Sequence, residues 1–229
     1  GGLEWSLPSF KWPFYVENVR ELCDGPREWF LDEAQRTLYY RPSDDSIDPS
    51  TLKFVAAVSA SAVQIRGSAT KPVRDVSLSG FTIAHTAPTF MEKYEVPSGG
   101  DWSIHRGAAV FVEASSNITI EGLIFDQVSG NALMFSNEVM DSTVRKCLFK
   151  DIGDSAISML GSTQQMVGTV GKGLYPSHNL IESNVVDVVG VYGKQTSAYF
   201  KAKSRANVVR KNVFMNGPRA GVRLKPLPM

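Results

Sequence analysis

One stretch of this sequence predicts its fold: Ile118-Thr119-Ile120-Glu121-Gly122-Leu123-Ile124-Phe125. Apolar and polar residues alternate on both sides of Gly122, which is the pattern of two short β-strands joined by a tight bend. Its β-branched residues suit a pleated, half-buried surface. Four further segments have the same form, at 76–83, 143–149, 180–186 and 208–214.

The five segments define an internal repeat, and each can be anchored on the apolar residue before its bend. These anchors are Leu78, Ile120, Val144, Ile181 and Val209. Successive anchors are 42, 24, 37 and 28 residues apart. The shortest step fits one coil of a parallel β-helix, with three short strands and three bends. The longer steps predict the same coil with loop insertions, at 87–106 and 161–177.

Stacked coils bury a continuous apolar core, which makes such a protein a solenoid. Asn184 and Asn212 occupy equivalent bends. We expect both in the left-handed backbone region, with their amides bonded to the backbone and stacked on each other. The repeats therefore predict an all-β solenoid over residues 73–229.

Residues 1–72 lack the repeat. Within them, residues 29–40 predict a β-hairpin with a polar turn at 32–36. An exposed end coil offers unpaired strand edges, so we expect 1–72 to form a β-rich module that covers the N-terminal end of the solenoid.

Composition excludes several classes of protein. The chain has 229 residues, 43% hydrophobic and 21% charged, which is ordinary for a globular protein. A net charge of +1 argues against nucleic acid as a partner. The sequence has no run of about 18 apolar residues, so it predicts no membrane span. Two cysteines and three scattered histidines form no disulfide framework or metal motif, so we expect no cofactor. Calcium held by aspartates stays an alternative that no motif supports.

Six further stretches carry distinctive motifs. They lie at 14–18, 29–40, 100–107, 153–156, 192–203 and 216–221. Together they resemble large right-handed parallel β-helix proteins with the pectin-lyase-like fold, which occur in bacteria, algae and protists. This family contains glycoside hydrolases and polysaccharide lyases, and also proteins known by fold alone. The resemblance implies a right-handed coil and an extracellular or cell-surface location.

The resemblance also has a departure at the C-terminus. Relatives continue after the turn at 218–221 with a stretch rich in Asn, Asp and Gly and with further coils, whereas this chain ends Pro226-Leu227-Pro228-Met229. Because proline cannot support a central strand, we expect the C-terminal coils to be missing.

In this fold the ligand cleft lies along one parallel sheet. Its predicted strands are 108–113, 132–136, 155–160, 197–203 and 220–224. Side chains alternate along a strand, so Leu133 and Phe135 pointing inward would place Met134 outward. By the same rule, an inward Phe200 would place Lys201 outward, in the cleft.

Turn residues before these strands form a second column at the edge of the cleft. The predicted catalytic residues are Asp154, Lys194, Lys201 and Arg219. The predicted substrate-binding residues are Trp102, His105, Arg106, Asn131, Tyr192, Gln195 and Tyr199. The structural alternative is that Asp154 caps a turn and that Arg219 bonds neighbouring carbonyls.

Two chemistries compete for this patch. A lyase would use Lys194, Lys201 or Arg219 as base and enolate stabiliser, and Tyr192 or Tyr199 as acid. A hydrolase needs two carboxylates roughly 5 to 9.5 Å apart. The sequence offers Asp154, with Asp151 close by, but no clear second carboxylate on the face. We expect a polysaccharide-degrading enzyme, a glycoside hydrolase or polysaccharide lyase, that acts as a monomer on a glycan in the cleft. The alternative is a non-catalytic glycan-binding or adhesive surface protein.

Overall fold

A computed structural model describes residues 16–97, 102–163 and 174–225 of the chain. The chain divides into two compact units, Gly1–Val55 and Ala56–Met229. Within the described ranges, no helix has the length and apolar character needed to cross a membrane.

The first unit is small and built around one hairpin. Strands β1 (Trp29–Asp32) and β2 (Thr37–Tyr40) pair antiparallel, with Phe30 opposite Tyr39. The carboxylate of Asp32 accepts a hydrogen bond of 2.9 Å from the backbone N–H of Gln35 and fixes the turn. Two short 3₁₀ helices, Arg20–Leu22 and Pro49–Thr51, flank the hairpin in sequence. The predicted hairpin is therefore confirmed, while the capping role of this module stays a prediction.

The described residues of the second unit form three parallel sheets. The first sheet contains β5 (Ser77–Ser79), β10 (Thr119–Glu121), β13 (Thr143–Arg145), β16 (Leu180–Glu182) and β19 (Val208–Arg210). The second sheet contains β6 (Thr82–Thr86), β11 (Ile124–Val128), β14 (Leu148–Ile152), β17 (Val185–Val189) and β20 (Val213–Met215). The third sheet contains β3 (Val63–Arg66), β9 (Val110–Ser116), β12 (Leu133–Met140), β15 (Ile157–Leu160), β18 (Ser197–Ala202) and β21 (Ala220–Lys225), with β4 (Val73–Arg74) also paired to β9.

The chain visits these sheets in a fixed cycle. A repeat such as β10, β11 and β12 gives one strand to each sheet, and the next repeat pairs parallel to it. The first sheet pairs the five predicted anchors with one another: Leu78, Ile120, Val144, Ile181 and Val209. The molecule is thus all-β with several parallel sheets, and the predicted register of its first sheet is confirmed.

The second unit begins before residue 72. Val63–Arg66 pairs parallel with Val110–Ser116, and Ile65 joins the apolar core. Because this strand is hydrogen-bonded into the third sheet, residues 56–72 belong with the repeats and not with the first unit.

Bends between sheets use left-handed residues at equivalent positions. Between the first and second sheets these are Gly80, Gly122, Lys146, Ser183 and Lys211. At Gly80 and Gly122 glycine adopts this conformation without a steric penalty. Asn184 and Asn212 each come one residue after the left-handed position. The prediction that these asparagines adopt the left-handed conformation is therefore wrong, by one position in the sequence.

The asparagine ladder itself is confirmed. Asn184 accepts from the N–H of Cys147 at 3.0 Å and donates to the carbonyl of Val144 and to Oδ1 of Asn212. A second ladder joins Asn179 to Asn207 at 3.0 Å. These amides satisfy backbone groups that the bends leave outside the sheets.

The core lies between the three sheets and contains their inward side chains, including Leu133 and Phe135 of the third sheet. Phe125 and Phe149 stack in the second sheet with ring centroids 4.6 Å apart. Met134 lies instead on the outer face of the third sheet, as the alternation predicted.

Candidate functional site

An inserted hairpin contributes to the outer face of the third sheet. Strands β7 (Tyr94–Glu95) and β8 (Ile104–His105) pair antiparallel, with Tyr94 opposite His105. Ile104 and Trp102 pack in one apolar cluster with Met134 and other outer-face residues of the sheet. The segment at 87–106 was predicted to be a loop, so this hairpin is a correction.

Asp154 lies in the turn before β15 and is 4% exposed. Its Oδ2 accepts a hydrogen bond of 2.6 Å from the phenol of Tyr94. Burial raises the pKa of the Asp154 carboxyl, while the Tyr94 hydrogen bond and the charge of His105 oppose the rise. Burial and the same carboxyl raise the pKa of Tyr94, which stays a neutral donor. Asp154 is therefore a buried acid whose proton is retained to higher pH than usual.

Glycines place this carboxyl. The backbone N–H of Asp154 donates to the carbonyl of Gly130 at 3.1 Å, and Gly190 donates to the carbonyl of Asp154 at 3.1 Å. A Cβ at position 153 would overlap with the carbonyl oxygen of Ser129, and one at 193 would overlap with Oδ1 of Asp154. The site therefore requires glycine, which has no Cβ, at positions 153 and 193.

Asn131 and His105 support the same turn. The Asn131 amide donates to the carbonyls of His105 and Gly107 at 3.0 Å each and accepts from the N–H of Ser155 at 3.2 Å. Nδ1 of His105 lies 3.0 Å from the carbonyl of Lys93. The structure therefore brings together three predicted site residues: His105, Asn131 and Asp154.

Two exposed aromatic rings lie beside this turn. Phe90 and Tyr192 stack with centroids 5.7 Å apart, and they are 46% and 39% exposed. The N–H groups of Tyr192 and Gly193 both donate to the carbonyl of Gly153 at 3.0 Å. Tyr192 was predicted as a binding residue, whereas Phe90 was missed because nothing in its neighbouring sequence distinguishes it.

A second polar network links the hairpin to the third sheet. Arg106 forms a two-point ion pair with Glu95, at 2.5 and 3.1 Å, and donates to Ser136 and to the carbonyl of Gly161. Burial raises the pKa of Glu95, but hydrogen bonds from Arg106 and Thr163 outweigh it and hold the pKa below its ordinary value. Glu95 was missed from sequence, since two residues of alternation do not reveal a strand.

The predicted lysines do not meet at the outer face. The ammonium of Lys194 donates to the carbonyls of Gly190 and Val191, at 2.7 and 2.8 Å. Lys201 pairs in register with Met159, a residue of the core side, and Phe200 packs on the outer face. The expectation that Phe200 points inward and Lys201 outward is therefore reversed.

Two predicted binding residues are buried. Tyr199 is 1% exposed and lies in the core, where its hydroxyl finds no hydrogen-bond partner among the described residues. Trp102 is also 1% exposed and stacks on Phe200 with centroids 5.9 Å apart. In this structure both rings are enclosed by protein.

The remaining predicted residues lie nearer the surface. The guanidinium of Arg219 lies 5.2 Å from the centroid of the Trp102 ring, as does that of Arg223. Gln195 is exposed in the loop that contains Lys194. Across 16–97, 102–163 and 174–225, no group of three or more His, Cys, Asp or Glu side chains is arranged to hold a metal ion.

Comparison with solved structures finds a similar fold. A protein titled "Glycoside hydrolase" superposes with a TM-score of 0.63 at 21% sequence identity. The match covers 80% of this chain and 36% of that one, so this chain spans about a third of its length. No protein-family model and no curated protein matches the sequence. This chain therefore shares the fold of that solved protein.

Proposed function

We propose that the three sheets are the faces of a right-handed parallel β-helix and that this chain belongs to a carbohydrate-active protein. The cyclic order of the strands supports the first part, since every repeat visits the same three sheets. The shared fold with a glycoside hydrolase supports the second part by analogy. A glycan substrate accords with the extracellular or surface location and the monomeric state predicted from sequence.

The proposed activity is glycan hydrolysis with Asp154 as the proton donor. One observation carries it: a buried carboxyl with a raised pKa, bonded to a tyrosine and placed beside exposed aromatic rings. A glycosidase acid must hold its proton near the working pH, and burial is the usual cause. The Asp154 proton would pass to the glycosidic oxygen as the bond to the anomeric carbon breaks, and water would add at that carbon.

Hydrolysis also needs an ionised carboxylate. Glu95 lies on the same hairpin as Tyr94, and its ion pair with Arg106 keeps its pKa low. Oppositely shifted pKa values separate the roles of acid and base in such pairs. Glu95 is the candidate that would accept the proton of the attacking water, and because Arg106 binds both of its carboxylate oxygens, this role requires the ion pair to open.

The lyase alternative has less support. A lysine base must present a free amine to the carbon beside a uronate carboxylate. The ammonium of Lys194 is engaged with two carbonyls, and Lys201 occupies a core-side register position. The non-catalytic alternative keeps one supporting observation, because the Phe90–Tyr192 pair could bind a glycan without chemistry.

The test is a comparison of Asp154→Asn with Asp151→Asn. Asp151 lies three residues earlier at a left-handed position that asparagine tolerates, and its carboxylate lies 3.9 Å from the ammonium of Lys150. Asp151→Asn therefore controls for the loss of a nearby, more exposed carboxylate. Both are incubated with neutral and uronate polysaccharides, while reducing ends and unsaturated uronates are measured together. Hydrolysis predicts reducing ends alone, lost in Asp154→Asn and kept in Asp151→Asn. Unsaturated products lost in Lys194→Ala/Lys201→Ala would support the lyase alternative instead.

A further inference from the structure

We propose that the Phe90–Tyr192 pair is a stacking subsite for a neutral pyranose ring, next to the acid. The inference rests on the proposed function, because it assigns the substrate class of that same site. It names one occupant: a sugar residue of an uncharged oligosaccharide, adjacent to the bond that Asp154 would protonate.

Exposure distinguishes this pair from two other ring stacks among the described residues of the unit. The stacks Phe125–Phe149 and Trp102–Phe200 are buried, whereas Phe90 and Tyr192 each leave more than a third of their surface in water. Two adjacent exposed rings form apolar surface that a ligand can cover. An aromatic face carries negative charge density and attracts the C–H-rich face of a pyranose.

The position of the pair is fixed relative to Asp154. Tyr192 precedes Gly193, whose Cα lies against Oδ1 of Asp154, and both residues donate to the carbonyl of Gly153. Phe90 follows Thr89, whose side chain lies against Gly130. Because Gly130 also accepts from the N–H of Asp154, both aromatic residues are tied to the turn that holds the acid.

The charges around the turn favour a neutral sugar. The ammonium of Lys194 is engaged with two backbone carbonyls, and Arg106 is engaged with Glu95 and with carbonyls of the third sheet. A uronate carboxylate that bound Lys194 or Arg106 would have to displace these partners, whereas a neutral pyranose needs no cation.

Binding to the Asp154→Asn protein tests the subsite apart from turnover. The probes are tetrasaccharides of glucose, xylose, mannose and galactose, with tetragalacturonate as the anionic comparison, each titrated by calorimetry. At least one neutral probe should bind, and more tightly than tetragalacturonate. Tyr192→Ala and Phe90→Ala should each weaken it by about tenfold, and Tyr192→Phe should not.

Phe81→Ala is the matched control. Phe81 is 39% exposed, as Tyr192 is, but it lies at the bend between the first and second sheets. Unchanged affinity in Tyr192→Ala and Phe90→Ala, or tightest binding of tetragalacturonate, would overturn the subsite while leaving the hydrolase proposal intact. Absence of binding to every probe, together with absence of turnover in the unmodified chain, would overturn both.

Discussion

The phenol of Tyr94 donates a 2.6 Å hydrogen bond to Oδ2 of Asp154, a residue 60 positions later in the chain. This bond joins the inserted hairpin to the turn before β15. It also acts on the acid, because a donor to the ionised form lowers the pKa of a carboxyl.

Tyr94→Phe should therefore move the pH dependence of hydrolysis. An acid works only while protonated, so activity falls as pH rises through its pKa. Removal of the Tyr94 hydrogen bond raises the pKa of Asp154 further, and the falling limb of kcat against pH should move to higher pH. If the falling limb of kcat against pH stays at the same pH in Tyr94→Phe, whatever the size of kcat, the titration of Asp154 does not determine that limb.

Gly193→Ala should displace the acid without changing its chemistry. The added Cβ would overlap with Oδ1 of the buried Asp154. Small displacements of a catalytic group are costly, so kcat should fall by about a hundredfold. Gly217→Ala is the control, since its Cβ would meet only ordinary contacts, the nearest at 3.4 Å from Val189. Equal rates in the two variants would contradict the placement of Asp154 at the reaction centre.

The asparagine ladder makes a prediction about stability. Asn184 is fully buried, and its removal leaves the N–H of Cys147 and the carbonyl of Val144 without their side-chain partner. Asn184→Ala should lower the free energy of unfolding by about 3 kcal/mol, measured by urea denaturation. Asn212→Ala, at a half-buried position, should cost about 1 kcal/mol. The reverse order would argue against the ladder as a source of stability.

Tyr199→Phe should stabilise the protein. The Tyr199 hydroxyl is buried and has no hydrogen-bond partner in the described part of the chain, so its removal relieves a desolvation cost of about 1 kcal/mol. Tyr94→Phe, which loses a real hydrogen bond, should instead destabilise. If Tyr199→Phe weakened glycan binding, the side chain would contact the ligand, as the sequence had suggested.

The register of the first sheet could be predicted because its signal is repeated five times. Leu78, Ile120, Val144, Ile181 and Val209 each precede a bend, and the structure pairs them in that order. Because the same pattern recurs in every repeat, the position of the strand and bend in one repeat can be checked against the others. Five strands of the third sheet (β9, β12, β15, β18 and β21) were predicted from the same repeat, whereas β3 and β4 were not.

The face of β18 could not be predicted by apolarity alone. Tyr199 and Phe200 are both large and aromatic, and a one-residue shift exchanges the two faces of a strand. The sequence does contain a pattern that distinguishes the two faces: an alanine followed by a large apolar residue recurs at Ala132-Leu133, Ala156-Ile157 and Ala198-Tyr199. In the structure each of these pairs lies in the core, which places Tyr199 there and Phe200 outside.

The inserted hairpin could not be predicted because its strands are two residues long. Tyr94 and Glu95 lie in a segment rich in Gly, Pro and Ser, where periodicity is absent. Their roles depend on contacts with Asp154 and Arg106, which only the folded chain brings close. The contacts of Tyr94 with Asp154 and of Glu95 with Arg106 therefore could not be predicted from the local sequence pattern.

The most direct test of the proposed hydrolysis is reducing-end release from neutral polysaccharides by the unmodified chain and by Asp154→Asn. If Asp154 is the acid, release should fall roughly a thousandfold in Asp154→Asn, stay unchanged in Asp151→Asn and yield no unsaturated uronate. Equal release by Asp154→Asn and the unmodified chain, or unsaturated products from uronate glycans, would contradict it.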